Sequence, residues 1–150
     1  MTQQRRIHTK PVVFRRAVVE GSLSVRPSTA KAIRAGRVKK GDPFAAGELA
    51  GLLAMKRTPE LIPHCHPVPL TGTRVELSIV AGKVHVVAEA EALYRTGVEM
   101  EALVGATIAL LTVWDMVKYL EKDGRGAYPK TRLGPVVVVR KEKRRPRGRP

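Results

Sequence analysis

Between Val13 and Val25 the apolar residues fall on alternate positions: Val13, Ala17, Val19, Gly21, Leu23 and Val25 share one face, and the opposite face is mainly polar after Phe14. A period of two is that of a strand with one buried face. Arg15 interrupts the apolar face, which reads either as an edge position or as a cation set over an anion. Downstream, "RPSTAKAIRAGR" offers Ser28 as the N-cap of a short helix and Gly36 as its stop. "KKGDPFAAGELAGLLAMKR" repeats that logic, with Asp42 as N-cap, Pro43 in the first helical position and apolar residues at helical spacing through Met55.

Four prolines between residues 59 and 69 then exclude a continuous helix or a central strand, so this segment is expected to be an ordered loop. "TRVELSIVAGKVHVVAEAEALY" alternates on both sides of a short glycine-containing turn and predicts a hairpin. From Val98 to about Glu121 comes the longest helix, and the β-branched run in "GPVVVVRK" predicts a last strand. The order strand, helices, strand, strand, helix, strand predicts an α+β fold, a ferredoxin-like sandwich with an antiparallel sheet and helices packed on one face. RNA-recognition domains share that order, so the fold alone leaves function open.

At 150 residues the chain has the size of one domain that can bury a core without staples. The expected division is a flexible N-terminal arm over 1–9, the folded domain over 10–141 and a basic, disordered tail over 142–150. The 28 Lys and Arg against 13 Asp and Glu give a net charge of +15, which points to an anionic partner. The stretch "KEKRRPRGRP" carries six basic residues and one acid, and such a tail mostly confers solubility or weak affinity for nucleic acid. A single cysteine, Cys65, permits no intramolecular disulfide and fits a reducing cytosol. With no apolar stretch in "MTQQRRIHTKPVVF" and no run approaching the ~18 apolar residues of a membrane span, a cytoplasmic protein with no membrane partner is expected.

Three places in the chain have candidate chemistry. His64-Cys65-His66 sits among prolines; on extended backbone the two histidines share a side and Cys65 points away. Two ligands do not make a zinc site, a third from Glu99 or Glu101 is not demanded by the spacing, and adjacent residues rarely serve as nucleophile and base. A rigid wall with one satisfied histidine is the plainer account, since the prolines remove ordering entropy in advance. In "YRTGVEMEAL", Thr96 and Glu99 fit a capping box. Glu101 shares a helical face with Val104, Ile108, Leu111, Asp115 and Lys118, and a core-facing stripe should not end in charges. Asp115 and Lys118 can pair at i, i+3. Glu101 precedes Asp115 by fourteen residues, roughly 21 Å of helix, so if both serve one small pocket two chains must build it. Lastly, Lys39 and Lys40 in "GRVKKGDPF" precede a helix N-terminus and suit a phosphate, although no P-loop pattern is present.

Taken together, "KKGD", "AGLLAMKRTPELIPHCHPVPLTG", "TGVEMEAL" and "LLTVWDMVKYLEKD" resemble the cyclic pyranopterin monophosphate synthase family, MoaC, of molybdenum cofactor biosynthesis. The similarity runs from about Lys10 to Lys141. The resemblance implies a lyase that converts cyclised dihydro-GTP, made by a radical SAM partner enzyme, into cyclic pyranopterin monophosphate and pyrophosphate. It also implies a homohexamer, a trimer of dimers, with active sites at subunit interfaces and no metal or redox cofactor. Residue by residue, Asp115, Lys40 and Lys118 fall on the family's catalytic positions. His64, Cys65, His66, Glu99, Met100 and Glu101 fall on substrate-binding segments, with Arg15 and Lys141 as phosphate contacts. Partial desolvation among cations would lower the pKa of Lys40 or Lys118 and let it exchange protons near neutral pH.

The chain departs from the family at both ends: "RRIHT" stands where members commonly have Val-Asp-[Ile/Val]-[Ser/Thr], and "KDGRGAYPKTRLGP" leads to a basic end in place of a Lys-[Ser/Ala]-Gly-Gly tail. The alternative function is a basic RNA-binding domain of the same fold. Against it stand 4% aromatic residues and no strand with the paired aromatics that stack bases.

Overall fold

A computed structural model describes residues 1–145 of the chain. The first alternating stretch forms β1 (Val13–Ser24), buried at Val13, Ala17, Val19, Gly21 and Leu23. Helix α1 (Pro27–Arg34) is capped by Arg26 instead of Ser28, because Pro27 takes the first helical position. Its free N-terminus is served from a distance: the Arg26 N–H lies 3.0 and 3.1 Å from the two Glu121 carboxylate oxygens. At the other end Gly36 adopts φ 64°, and the N–H groups of Gly36 and Arg37 donate to Ile33 and Ala32 carbonyls, a Schellman stop.

Helix α2 (Pro43–Lys56) starts as expected, with the Asp42 carboxylate accepting from the Phe44 and Ala45 N–H groups at 2.9 and 3.2 Å. The proline-rich segment opens with one helical turn, α3 (Thr58–Leu61), and continues without regular structure to residue 71. Strands β2 (Gly72–Val80) and β3 (Lys83–Tyr94) form the hairpin, turning at Ala81 and Gly82 with φ 50° and 76°; two positive φ values match the twist of the strands they join. Helix α4 (Glu99–Glu121) and strand β4 (Arg132–Arg144) complete the chain. β4 stays paired to β1 as far as Phe14 opposite Arg144, so residues 142–144 belong to the sheet and not to the expected tail. Residues 146–150 of that tail lie outside the described residues.

The sheet runs β2-β3-β1-β4 with every neighbour antiparallel, the ferredoxin-like order. α4 lies across β1 and β3, and α2 lies beside it over β2. Between the layers, Val84, Val86, Ala88, Ala90 and Ala92 of β3 meet Ala102, Ala106, Ala109, Leu110 and Val113 of α4, all fully buried. Small residues let α2 approach α4 closely: a Cβ on Gly51 would come 2.7 Å from the Gly105 carbonyl oxygen.

The buried stripe of α4 lies to one side of the one expected. Val104, Ile108 and Leu111 flank it and remain partly or largely open, because the alanine and glycine positions offer the flatter surface against the sheet. By length and composition alone α4 is apolar enough to cross a membrane, but Glu101, Asp115 and Lys118 interrupt its apolar residues, and half of its most apolar stretch is buried in this fold.

Residues 1–9 lie against the domain at several points. Gln4 Nε2 donates to the Cys65 and His64 carbonyls at 2.9 and 3.3 Å, and Arg95 donates to the His8 and Lys10 carbonyls at 2.9 and 2.5 Å.

Candidate active site

The residues singled out in the sequence gather in two clusters, one at each end of α4. At its N-terminal end the loop after α3 brings His64, Cys65 and His66 against Glu99, Met100 and Glu101 around a cavity of about 170 Å³. Glu101 is 3% exposed, and burial pushes its carboxyl above the usual carboxylate range, with its own backbone N–H opposing and the Glu99 charge assisting. Burial, helped by Glu101, also raises the Cys65 thiol, so the conditions that would make a thiolate nucleophile are absent there. Among the described residues no three His, Cys, Asp or Glu side chains gather as a metal site.

Glu99 does not form the expected capping box with Thr96. The N-cap is Val98 and no side chain caps it. Instead the Glu99 carboxylate folds back over Gly97, where any Cβ would collide with it, and meets Lys141 Nζ at 2.5 Å. Burial works against its charge. The bond to Lys141, the Glu99 backbone N–H and the nearby charges of Lys141 and Arg15 prevail, so its carboxyl sits below the usual range. Lys141 reaches this place because it pairs with Ala17 in the β1–β4 ladder and therefore shares the helix-facing side.

Arg15 is on that side as well. β1 is an interior strand, so the edge explanation for this arginine fails. Its guanidinium lies beside Glu99, Nη2 is 3.5 Å from the Arg95 carbonyl, and Nε is buried without a hydrogen-bond partner. An unpaired buried donor is costly, so this guanidinium is not fully satisfied by the chain's own groups.

At the C-terminal end the loop between α1 and α2 delivers Lys40 to α4. Its Nζ donates to Asp115 Oδ2 at 3.0 Å and to the Asp115 carbonyl at 3.0 Å, while Lys118 Nζ donates to Oδ1 at 2.6 Å. The hydrogen bonds from Lys118 and Lys40 hold the Asp115 carboxyl below its usual range, and Asp115 in turn raises Lys118. The expectation of a lowered pKa is thus overturned for Lys118: the group is exposed, so little desolvation opposes the attraction of a carboxylate in contact. The i, i+3 pair is present, extended by Lys40 into a triad.

Both clusters sit on one helix, fourteen residues apart from Glu101 to Asp115, so within one chain they do not share a pocket. An apolar groove lies between them, lined by Leu103, Val104, Thr107 and Ile108 with Leu61 and Ile62 of the proline-rich segment. Two residues that carry weight here were not visible in the sequence. Tyr119 accepts a hydrogen bond from the Lys39 backbone N–H at 2.8 Å, and the fully buried Glu121 accepts from Thr29 and Thr131 as well as from the Arg26 N–H. Both contacts join segments at least ten residues apart, beyond the reach of any periodic pattern.

The family model for MoaC matches residues 5–143. A Pyrococcus abyssi protein named probable cyclic pyranopterin monophosphate synthase is 52% identical over 134 residues, covering 89% of this chain and 84% of that protein. Proteins of the same name from Archaeoglobus fulgidus and Sulfolobus acidocaldarius are 49% and 47% identical, covering 89% and 91% of this chain and 86% and 96% of their own lengths. With a match over nearly its whole length and relatives at half identity, this chain belongs to the MoaC family.

Proposed function

We propose that the chain is a cyclic pyranopterin monophosphate synthase, a lyase of molybdenum cofactor biosynthesis that acts on cyclised dihydro-GTP and releases pyrophosphate. Family membership supports the activity, and the observation that carries the assignment of residues is the Lys40–Asp115–Lys118 triad. Rebuilding a fused purine and sugar as a pterin needs protons taken and returned at several atoms, and closing a cyclic phosphate needs the charge of departing pyrophosphate stabilised. In this reading Lys118, held protonated by Asp115, acts as acid and as counter-charge. Lys40 moves protons opposite it, and Asp115 orients both ammonium groups.

The second cluster binds and orients. Arg15 and Lys141 take phosphate oxygens, while His66, Glu99 and Glu101 address the ring, with His64, Cys65 and Met100 as pocket wall. Because the clusters are about 21 Å apart along α4, the working site combines the N-terminal pocket of one chain with the triad of another. Two features support this. Leu49, Leu53, Leu61 and Leu111 on this side are 61%, 47%, 53% and 42% exposed, an apolar face that suits coverage by a second copy. In addition, Ile108 lies midway between Glu101 and Asp115, so a two-fold axis near Ile108 with the α4 helices antiparallel would set Glu101 of one chain beside Asp115 of its neighbour.

On the same reading the dimers assemble further into a hexamer. The folded domain extends from about residue 10 to the end of β4, the upstream radical SAM cyclase supplies the substrate, and the reaction takes place in the cytosol, where the free thiol of Cys65 is at home.

The test is anaerobic incubation of the purified protein with cyclised dihydro-GTP, following pyrophosphate and the pterin product together, with Lys40→Ala in parallel. Equal appearance of both products, lost in the variant, is expected. A folded oligomer that gives neither product overturns the activity, and parent turnover by Lys40→Ala overturns the residue assignment.

A further inference from the structure

Lys40 belongs to the segment 36–42, which leaves α1 through Gly36 at φ 64° and enters α2 through Gly41 at φ 104°. Both glycines use backbone conformations open to few other residues, and the segment's own backbone hydrogen bond, from the Gly41 N–H to the Val38 carbonyl at 3.1 Å, spans Lys39 and Lys40 without fixing them to α4. Val38, 7% exposed, anchors it on one side. On the other, the backbone N–H of Lys39 donates to Tyr119 Oη at 2.8 Å, and Lys39 Nζ lies 5.5 Å from the centre of the Tyr119 ring. Tyr119 directly follows Lys118 on α4 and lies one turn beyond Asp115.

We propose that Tyr119 is a positioning residue for Lys40: its hydroxyl fixes the backbone one residue before Lys40 to the helix that bears Asp115 and Lys118, and so sets where the Lys40 ammonium meets the Asp115 carboxylate. This inference rests on the assignment of Lys40, Asp115 and Lys118 made above. The lysine side chain has four rotatable bonds and an exposed end, so its Nζ is placed only as well as its Cα is placed. Held to α4, the loop keeps both 3.0 Å contacts of Lys40 with Asp115 in register with the Lys118 contact on the same carboxylate. A phenol acting through the neighbouring peptide touches no reacting atom. Its loss is therefore read in the rate of the chemical step and not in the binding of substrate.

The experiment compares the parent, Tyr119→Phe, Lys40→Ala and the double variant in anaerobic turnover of cyclised dihydro-GTP, with melting temperature and assembly recorded for each. Tyr119→Phe keeps the ring and removes one acceptor. We expect kcat to fall about three- to tenfold with KM nearly unchanged, the loss of one modest hydrogen bond. In the Lys40→Ala background, at its residual rate, the same substitution has no further effect, because the group being positioned is gone. Amide exchange at Lys39 becomes faster in Tyr119→Phe. If kcat keeps its parent value, or falls by the same factor in both backgrounds, Tyr119 does not position Lys40 and the inference is overturned while the triad stands. If Lys40→Ala itself turns over at the parent rate, the triad assignment falls and this inference falls with it.

Discussion

The two ends of α4 carry the same kinds of side chain under opposite conditions. At the N-terminal end Glu101 is buried and its proton is held more tightly than in water; at the C-terminal end Asp115 is exposed between two ammonium groups and holds its proton less tightly. Burial dominates the first site and contact with cations the second. In the N-terminal pocket Glu99, paired with Lys141, goes the other way, and the nearby Arg15 Nε is buried without a partner. A solvent-facing triad with its charges satisfied is suited to chemistry once water is excluded. Neither end has both a buried pocket and such a triad, which is what a site shared between two chains, as proposed above, would supply.

Complementation is the strongest way to break this comparison. Asp115→Ala and Glu101→Ala are each expected to lower turnover by about 10²–10⁴-fold. If the working site takes one end from each of two chains, unfolding and refolding the two variants together regains about a quarter of the parent activity, since half the pairs are mixed and each mixed pair has one intact site. If both ends of a single chain served one site, no activity would return, and the division of labour would be wrong.

Next in size is the anchoring of the C-terminal end. Glu121→Ala leaves the Arg26 N–H and the hydroxyls of Thr29 and Thr131 without their acceptor, at an expected cost of about 2–4 kcal/mol in denaturant unfolding. An unchanged midpoint would show that water or local rearrangement replaces the carboxylate. Gly51→Ala, which drives a methyl group against the Gly105 carbonyl, is expected to cost about 1–3 kcal/mol and reports on α2–α4 packing beneath both clusters.

A subtler contrast lies in pH. The folded-state pKa of Glu101 is raised, so the folded protein binds that proton more tightly than the unfolded chain does. Its contribution to stability is full below the ordinary glutamate value and is lost as pH rises through the folded value. Glu101→Gln should therefore stabilise the protein at neutral pH and lose that advantage in acid, as followed by thermal melting across pH. A constant difference at every pH would mean that burial does not govern this group. Asp115 has the opposite sign: its depressed pKa gives stability above the ordinary aspartate value that is lost on acidification. Being exposed, it has the smallest expected effect, and Asp115→Asn should melt at nearly the parent temperature in moderate salt despite its loss of activity.

Much of this molecule was legible in the sequence, because local rules act over a few residues. Alternation gave β1 and the hairpin, and the Asp42-Pro43 pair gave the start of α2. Where a distant group took over a local task, the local reading failed. Ser28 lost its cap to Pro27 and the Glu121 carboxylate, and Thr96 lost Glu99 to Lys141 on β4. The stripe on α4 was misplaced because residue type alone did not show that alanine and glycine, more than valine and leucine, would face the sheet.

The candidate site divides along the same line. By itself, the chain's sequence determined the element order, the caps written in adjacent residues and the motifs that mark the family, since these depend on spacing along the chain. Only the tertiary structure decided that Lys40 meets Asp115, that Lys141 meets Glu99, that Tyr119 holds the Lys40 loop and that Lys118 is held protonated rather than loosened. Those outcomes depend on distance and burial among segments up to about eighty residues apart, which the packing of α4 on the sheet sets and no local pattern encodes.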